Sequence, residues 1–374
     1  MGLHILANQH KILIESAICL SIPDSVVRIL RMCYSAMVIQ DIKELGIRFK
    51  ARAQLDLYAD LFHRRALGES LKINKAMERQ FILNPSFTSD QVVESVVDGS
   101  TDTKSLLNQI QKDVLTTHTR ERESLERELF ALKKRLADAE RKLIIKATKK
   151  FENEKRISSS KIGKVQNQLK KLRSTDFVSE DEQSIFPFYY LSMVVVGKSG
   201  ERIVAPFRYH LRPRGQSVGF DQRYSGCYNA RRDNLQNPFW QPVFGKRHGI
   251  ILIKKFYEHV AANDYRSSQL KDGVSKSGKK NLILCFEPEV PVEMMVPCLW
   301  DVNRQPGQSD LFSCALITDN PPPESSETGH DRCPVFLKEK YLDLWLNPKK
   351  VPIERLYEIL QDREQVRYRH SMVA

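Results

Sequence analysis

The chain has 374 residues, enough to bury a sizeable core as one large domain or two. Its 59 Lys+Arg against 46 Asp+Glu leave a formal charge of +13, which favours a polyanionic partner such as nucleic acid without naming it. No apolar run approaches the roughly 20 residues needed to span a bilayer, and seven cysteines without a CxxC pair argue against a zinc site or a disulfide framework and for a reducing cytoplasm.

Residues 1–31 carry a short apolar segment from Ile12 to Ile22, interrupted by Glu15 and closed by Pro23. It lacks a small-x-small cleavage pattern and is a poor secretory signal. Three readings stand: an upstream start codon that is not used, which is preferred, a propeptide, or a permanent helical extension. Next comes Met32-Cys33-Tyr34-Ser35-Ala36. If translation begins at Met32, methionine trimming before a small residue makes Cys33 the first residue. A free α-amine (pKa roughly 8) and a thiol (roughly 8.5) then share one carbon, each partly nucleophilic at neutral pH. Together they can capture an aldehyde, the amine as an imine and the sulfur by closing a thiazolidine ring. The pentapeptide alone equally suits a small buried hydrophobe.

Met37 to Ile47 and Ala51 to Leu67 show helical spacing, with Leu55, Tyr58, Leu61 and Phe62 on one face. Asn84 to Ser105 turns to Ser, Asp, Pro and Gly and reads as loop. Leu125, Leu129, Leu132, Leu136, Ala139 and Leu143 alternate spacings of four and three, the a/d repeat of a coiled coil. Ser158 to Gly163 breaks the pattern, and Ile162, Val165, Leu169 and Leu172 resume it. Helix, break and helix predict an antiparallel hairpin over 105–176, set between a first part, 32–104, and the main part, 185–374. Its many Lys and Arg suit a solvated face, a dimerisation surface with a coiled-coil partner or second copy, or a DNA-tracking arm.

From Ile185 the texture is β. Phe186–Val196, turning at Gly197–Gly200, Gly249–His259, Asn281–Phe286, Met294–Trp300 and Leu311–Thr318 read as strands. Val335 to Gln361 reads as helical, with a start signal at Pro352. The expected class is α+β, with a curved, largely antiparallel, barrel-like sheet, flanking helices and the inserted coiled-coil hairpin.

Between Arg202 and Arg232 stand seven arginines (202, 208, 212, 214, 223, 231 and 232) and one acid, Asp221. Phe207, Tyr209, Phe220, Tyr224 and Tyr228 are interleaved. Guanidiniums fork onto phosphates and flat rings stack unpaired bases at roughly 1 to 3 kcal/mol each, so the mixture suits single-stranded nucleic acid. A basic surface loop with its aromatics turned inward is the alternative. The part from 185 to 374 holds 27 Lys+Arg against 21 Asp+Glu, so the local concentration weighs more than the total.

Seven pieces in order and register resemble the SOS-response-associated peptidase (SRAP) family: MCYSA, APFRYHLRP (205–213), YNARRDNL (228–235), GIILIKKFYEHV (249–260), VPCLWD (296–301), FSCALITDNP (312–321) and GHDRCPVFL (329–337). The resemblance covers Met32 to Met37 and Ile185 to Gln361, leaving the hairpin as an insertion. It implies a protein that shields abasic sites in single-stranded DNA by condensing its terminal cysteine with the ring-opened sugar aldehyde, without a metal or other cofactor. It implies that Cys33 supplies both nucleophiles and Asn229 holds Cys33 in place. Arg231 would grip a flanking phosphate, Glu258 shuttle protons, and His330 assist sugar ring opening and reversal. The DNA-binding set is then Arg208, Arg212, Arg231, Arg232 and Arg332, with Arg332 paired to a phosphate or to Asp331.

Read without the family, Glu258 is equally a solvent-facing strand carboxylate, His330 a surface histidine and Asn229 a turn residue. Two departures bear on base stacking: His259 stands where the family commonly has Trp, and Tyr209-His210-Leu211-Arg212-Pro213 replaces Trp-Gly-Leu-Ile-Pro. The expected location is the cytoplasm, with the nucleoid if the source is bacterial. Two rival functions remain open. One is an autoprocessing peptidase in which Cys33, Glu258 and His330 release the segment before Cys33. The other is a non-enzymatic coiled-coil adaptor that holds nucleic acid by charge.

Overall fold

The computed structural model describes residues 35–83, 101–173, 183–261, 281–321 and 332–373. Among the described residues, thirteen strands form one sheet. Five of them close a ring: β5 (Tyr189–Val196), β6 (Arg202–Tyr209), β11 (Leu311–Asp319), β10 (Met294–Asn303) and β8 (His248–Ala261). Neighbours run antiparallel around it except β6 and β11, where Ser313 lies parallel to Arg208. Val194 opposite Ile250 shuts the ring between β5 and β8.

Both faces of this wall are buried, which is why its strands read as continuous apolar runs. Leu191, Met193, Ile251, Ile253, Val296, Cys314 and Leu316 fill the interior. The alternate residues Tyr190, Val194, Ile250, Leu252, Met295, Ala315 and Ile317 face helices. These are α1 (Ile42–Phe49), α2 (Leu55–Ala66) and α3 (Lys75–Leu83), with α4 (Thr101–Ile145) behind them. Asp41 caps α1 by accepting from Lys43 N and Glu44 N at 2.9 and 3.1 Å. Ser192, the polar break in β5, is satisfied on the helix side by Tyr58 Oη at 2.9 Å, and its N–H donates to Gln40 Oε1 at 2.8 Å.

The α4 helix and α5 (Lys149–Arg173) make the antiparallel hairpin, closed by Leu132, Val165 and Leu169 with Leu125, Leu129 and Ile162 around them. The turn lies at residues 146–148, and Ser158–Gly163 is helical, which corrects the expected break. Ser158 is wholly buried, so its small side chain marks close packing rather than a helix end. The first turns of α4 belong to the central core through Leu107, Ile110 and Val114. Residues 101–105, expected as loop, are helical, while 84–100 lie outside the described residues.

Two further expectations change. Met37 and Val38, expected as helix, belong to strand β1 (Ser35–Val38), and the helix begins only at Ile42. The segment from Val335 breaks into α7 (Leu342–Leu346) and α8 (Ile353–Gln361), because Pro348 and Pro352 interrupt it. Strand β6 stands where the arginine-rich stretch begins. Among the described residues no helix is long and apolar enough to cross a membrane.

Candidate functional site

Strand β8 carries the first part of the site. Its residues 251 and 253 point into the barrel, and so do 256 and 260, a change of phase that requires one extra residue. The extra residue is visible in the pairing with β1: Val38 lies opposite Ile253 but Met37 opposite Lys255, a β-bulge at Lys254. Without it, strict alternation would turn Glu258 outward. With it, Glu258 shares the face of Phe256 and Val260 and is fully buried, so it is not a solvent-facing carboxylate. Its charge reaches Cys333, whose thiol is pushed up by burial first, with Arg363 opposing the rise and Glu258 and Asp319 adding to it.

The C-terminal half of β11 carries the second part. Strand β7 (Asn229–Arg231) runs parallel to it, placing Asn229 beside Leu316 and Arg231 beside Thr318. Strand β12 (Cys333–Pro334) runs antiparallel on it, with Pro334 opposite Thr318 and Cys333 opposite Asp319. Asn229 is 6% exposed and accepts on Oδ1 from Tyr209 Oη at 3.0 Å, so it is a buried strand residue, not a turn residue. Tyr209 is oriented in turn by an edge contact with Tyr228, the ring centroids 5.5 Å apart. The Thr318 hydroxyl is buried with no hydrogen-bond partner among the described residues.

Tyr209, Asn229 and Thr318 therefore share the inner side of β6, β7 and β11, Glu258 lies on the inner side of the outer half of β8, and Cys333 is near enough to Glu258 to feel its charge. Cys33, His330 and Asp331 lie outside the described residues. Ser35 does not, and it sits opposite Tyr257, the neighbour of Glu258. Of these residues, Thr318 and Cys333 were not singled out by sequence reasoning, although they stand in the quoted family pieces FSCALITDNP and GHDRCPVFL. Tyr209 stood out only among the aromatics suited to stacking bases, and it is buried against Asn229 instead.

The five expected DNA-binding arginines divide into three groups. Arg208 and Arg212 are 9% and 6% exposed and converge on Asp221, the one acid of that stretch. Arg208 holds both its oxygens at 2.7 and 3.1 Å, and Arg212 adds Nε at 3.0 Å and a second contact. Burial raises the Asp221 pKa, and the bonds from Arg212 and Arg208 outweigh this and hold it below the ordinary carboxylate value. His210 lies in the same cluster, stacked on Phe188 at 4.3 Å, its pKa pushed down to about 4 by burial and by Arg208. These two arginines thus form an internal clamp rather than an outward row.

Arg231 is more open and forks onto Asp233 at 2.8 and 2.6 Å. Arg232 holds Asp319 at 2.6 Å, shared with Arg363 at 3.0 Å. Arg332 is 6% exposed, and its charge helps to lower the Asp233 pKa. Among the described residues no three His, Cys, Asp or Glu side chains are grouped to hold a metal ion.

Several solved structures resemble this chain, three of them each over 51% of its length. One is a protein from Bordetella bronchiseptica, 20% identical, of which 87% is covered at a TM-score of 0.40. Another, from Bacteroides thetaiotaomicron, is 13% identical, with 77% covered at a TM-score of 0.39. The third is a phage-related protein from Bordetella bronchiseptica, 17% identical, with 80% covered at a TM-score of 0.37. A search of curated proteins found no match. The family model for SOS response associated peptidase (SRAP) matches residues 151–374, which take in β7, the outer half of β8, β11 and β12. That match spans more than half of the 374 residues, and the chain belongs to the SRAP family.

Proposed function

We propose that this protein shields abasic sites in single-stranded DNA by forming a thiazolidine through Cys33 as its N-terminal residue. Family membership supports, more broadly, an SOS-associated role related to abasic sites and a peptidase or DNA-processing class of chemistry. The observation that carries the finer reading is the bulge that turns Glu258 inward next to the strand leading back to Cys33. Cys33 stands two positions before Ser35, a reach of at most about 7 Å.

In the proposed reaction the amine of Cys33 attacks C1′ of the open-chain sugar. The carbinolamine loses water to give an imine, and the thiolate sulfur closes on the imine carbon while the nitrogen takes back a proton. Each step moves a proton to or from nitrogen or oxygen, and a buried carboxylate at hydrogen-bonding range is suited to carry it. Asn229, fixed by Tyr209, presents its amide N–H groups as donors. Arg231 and Arg232, at the open side, offer guanidiniums to the phosphates beside the lesion, exchanging Asp233 and Asp319 for them. Arg208 and Arg212 act at one remove, bracing Tyr209 between them. His330 assists ring opening of the sugar and reversal.

The test is the chain expressed from Met32 and incubated with an abasic single-stranded oligonucleotide. A heat-stable adduct that disappears in Cys33→Ala and forms at least about 100-fold more slowly in Glu258→Gln is expected. No adduct, or an adduct that survives Cys33→Ala, overturns the reading.

A further inference from the structure

The hairpin is where the positive charge is concentrated. Residues 101–173 hold 20 Lys+Arg against ten Asp+Glu, so they carry most of the chain's excess of +13. The acids are unevenly placed. Glu121, Glu123, Glu126 and Glu128 lie toward the base of α4, whereas residues 141–150, RKLIIKATKK, contain five bases and no acid. Arg141, Lys142, Lys146, Lys149 and Lys150 are all exposed around the turn. Arg141 reaches Asp138 at 3.6 Å and Lys142 lies over the Phe151 ring at 5.6 Å, while Lys146, Lys149 and Lys150 have no ion-pair partner among the described residues.

At the same point two large apolar side chains stand in solvent, Ile144 at 86% and Ile145 at 85% exposed. They take no part in the seam that closes the hairpin. An apolar pair beside three lysines without an acidic partner among the described residues, Lys146, Lys149 and Lys150, is the chemistry of a surface built for an anionic partner with apolar parts. From Glu121, the α4 residue held by Arg65 of α2 at 2.9 Å, to Ile145 is about 36 Å along the helix, so this end is well separated from the barrel.

We propose that the tip of the hairpin is a second DNA-docking element, distinct from the barrel site. Its bases hold the phosphate backbone, and Ile144 and Ile145 rest against base faces or a groove wall. The charge favours DNA over the other occupants. Bases continue from the tip along α5 as exposed Lys155, Arg156, Lys161, Lys164, Lys170 and Lys171, with no acid after Glu154, over about 24 Å. A line of charge matches a linear polyanion. A bilayer would meet only two apolar side chains, and a second copy of the tip would bring five like charges against five.

The experiment uses the full chain and a fluorescent 40-base-pair duplex, with anisotropy read from 50 to 300 mM KCl. The variant neutralises Arg141, Lys142, Lys146, Lys149 and Lys150 to Gln together, and a second variant changes Ile144 and Ile145 to Ser. All seven positions are exposed, so circular dichroism should match the parent. The neutralised variant is expected to show a salt slope shallower by about four, from about 0.9 per lost phosphate contact, and affinity at least about tenfold weaker at 100 mM KCl. The serine variant should keep the slope and lose affinity. An unchanged slope overturns the proposal. So does loss of binding to phosphatidylserine vesicles, or of self-association, with DNA binding intact. Adduct yield on a saturating short abasic oligonucleotide separates the two readings. If no protein forms the adduct while the slope still falls, the barrel reading fails and the tip stands.

Discussion

Replacing Asp221 with Asn tests the internal clamp most directly. Two guanidiniums, with side chains 10% and 8% exposed, share this one carboxylate, itself 12% exposed. Asparagine keeps the shape and removes the charge, leaving two buried cations without their counterion. Breaking a buried pair by losing one partner costs about 3 to 5 kcal/mol. The lower end applies, because Arg208 Nη2 also donates to the His210 carbonyl at 3.1 Å. With a urea dependence of about 3 kcal/mol per M, a loss of about 3 kcal/mol lowers the midpoint by about 1 M. The loss must also depend on pH. Asp221 titrates below its ordinary value, so its stabilisation is complete above about pH 4 and disappears as pH falls through the folded-state value. Equilibrium urea curves at pH 7 should therefore differ between parent and variant, and the difference should shrink as the pH falls through the folded-state value. A difference under 1 kcal/mol at pH 7, or one that never shrinks on acidification before the parent itself unfolds, would refute the clamp. Because Tyr209 lies between Arg208 and His210, the same variant should also slow adduct formation through Asn229.

Three other outcomes are expected. Thr318→Val replaces a buried hydroxyl that has no hydrogen-bond partner among the described residues, so stability should rise by about 1 kcal/mol while adduct formation slows. Thermal melts and single-turnover gels measure the two, and a destabilisation above 1 kcal/mol would mean the hydroxyl serves the fold. Leu132→Ala should cost about 2 to 4 kcal/mol within the hairpin seam and leave the barrel intact, seen as faster hydrogen exchange confined to residues 125–169. The thiols of Cys227, Cys298, Cys314 and Cys333 are raised by burial, Cys227 to about 12, so all four should resist Ellman's reagent at pH 8 in the native protein. Rapid labelling of any of them would show the interior to be open.

The strands of the barrel wall were legible because burial on both faces leaves an unbroken apolar run, as in Met294–Trp300. Strand β6 was not, since Arg202, Pro206 and Arg208 interrupt its apolar run, even though it pairs with the preceding β5 across the Gly197–Gly200 turn. The hairpin was readable from its a/d leucines, yet its turn was displaced. Ser158–Gly163 is poor in helix formers but is held by packing, while Lys146-Ala147-Thr148 contains no glycine or proline to signal a turn. At the site, the types and order of Asn229 and Glu258 stood out through the family pieces. The inward aim of Glu258 did not, because it depends on a bulge visible only in the pairing with β1. Arg208 and Arg212 were expected in the DNA-binding set, and their shared hold on Asp221 was not legible because only tertiary packing brings that carboxylate onto both.

Strand β1 is four residues long and is held on both sides, by β8 and by β4 (Ser184–Ile185). Any pull entering the chain ahead of Ser35 is borne by those few backbone bonds before it reaches the barrel. A mechanical load from that direction would peel β1 away pair by pair and disturb the rung beside Glu258 first, leaving the five-stranded ring standing. The seam that such a pull loads first is therefore also the one that aligns the carboxylate.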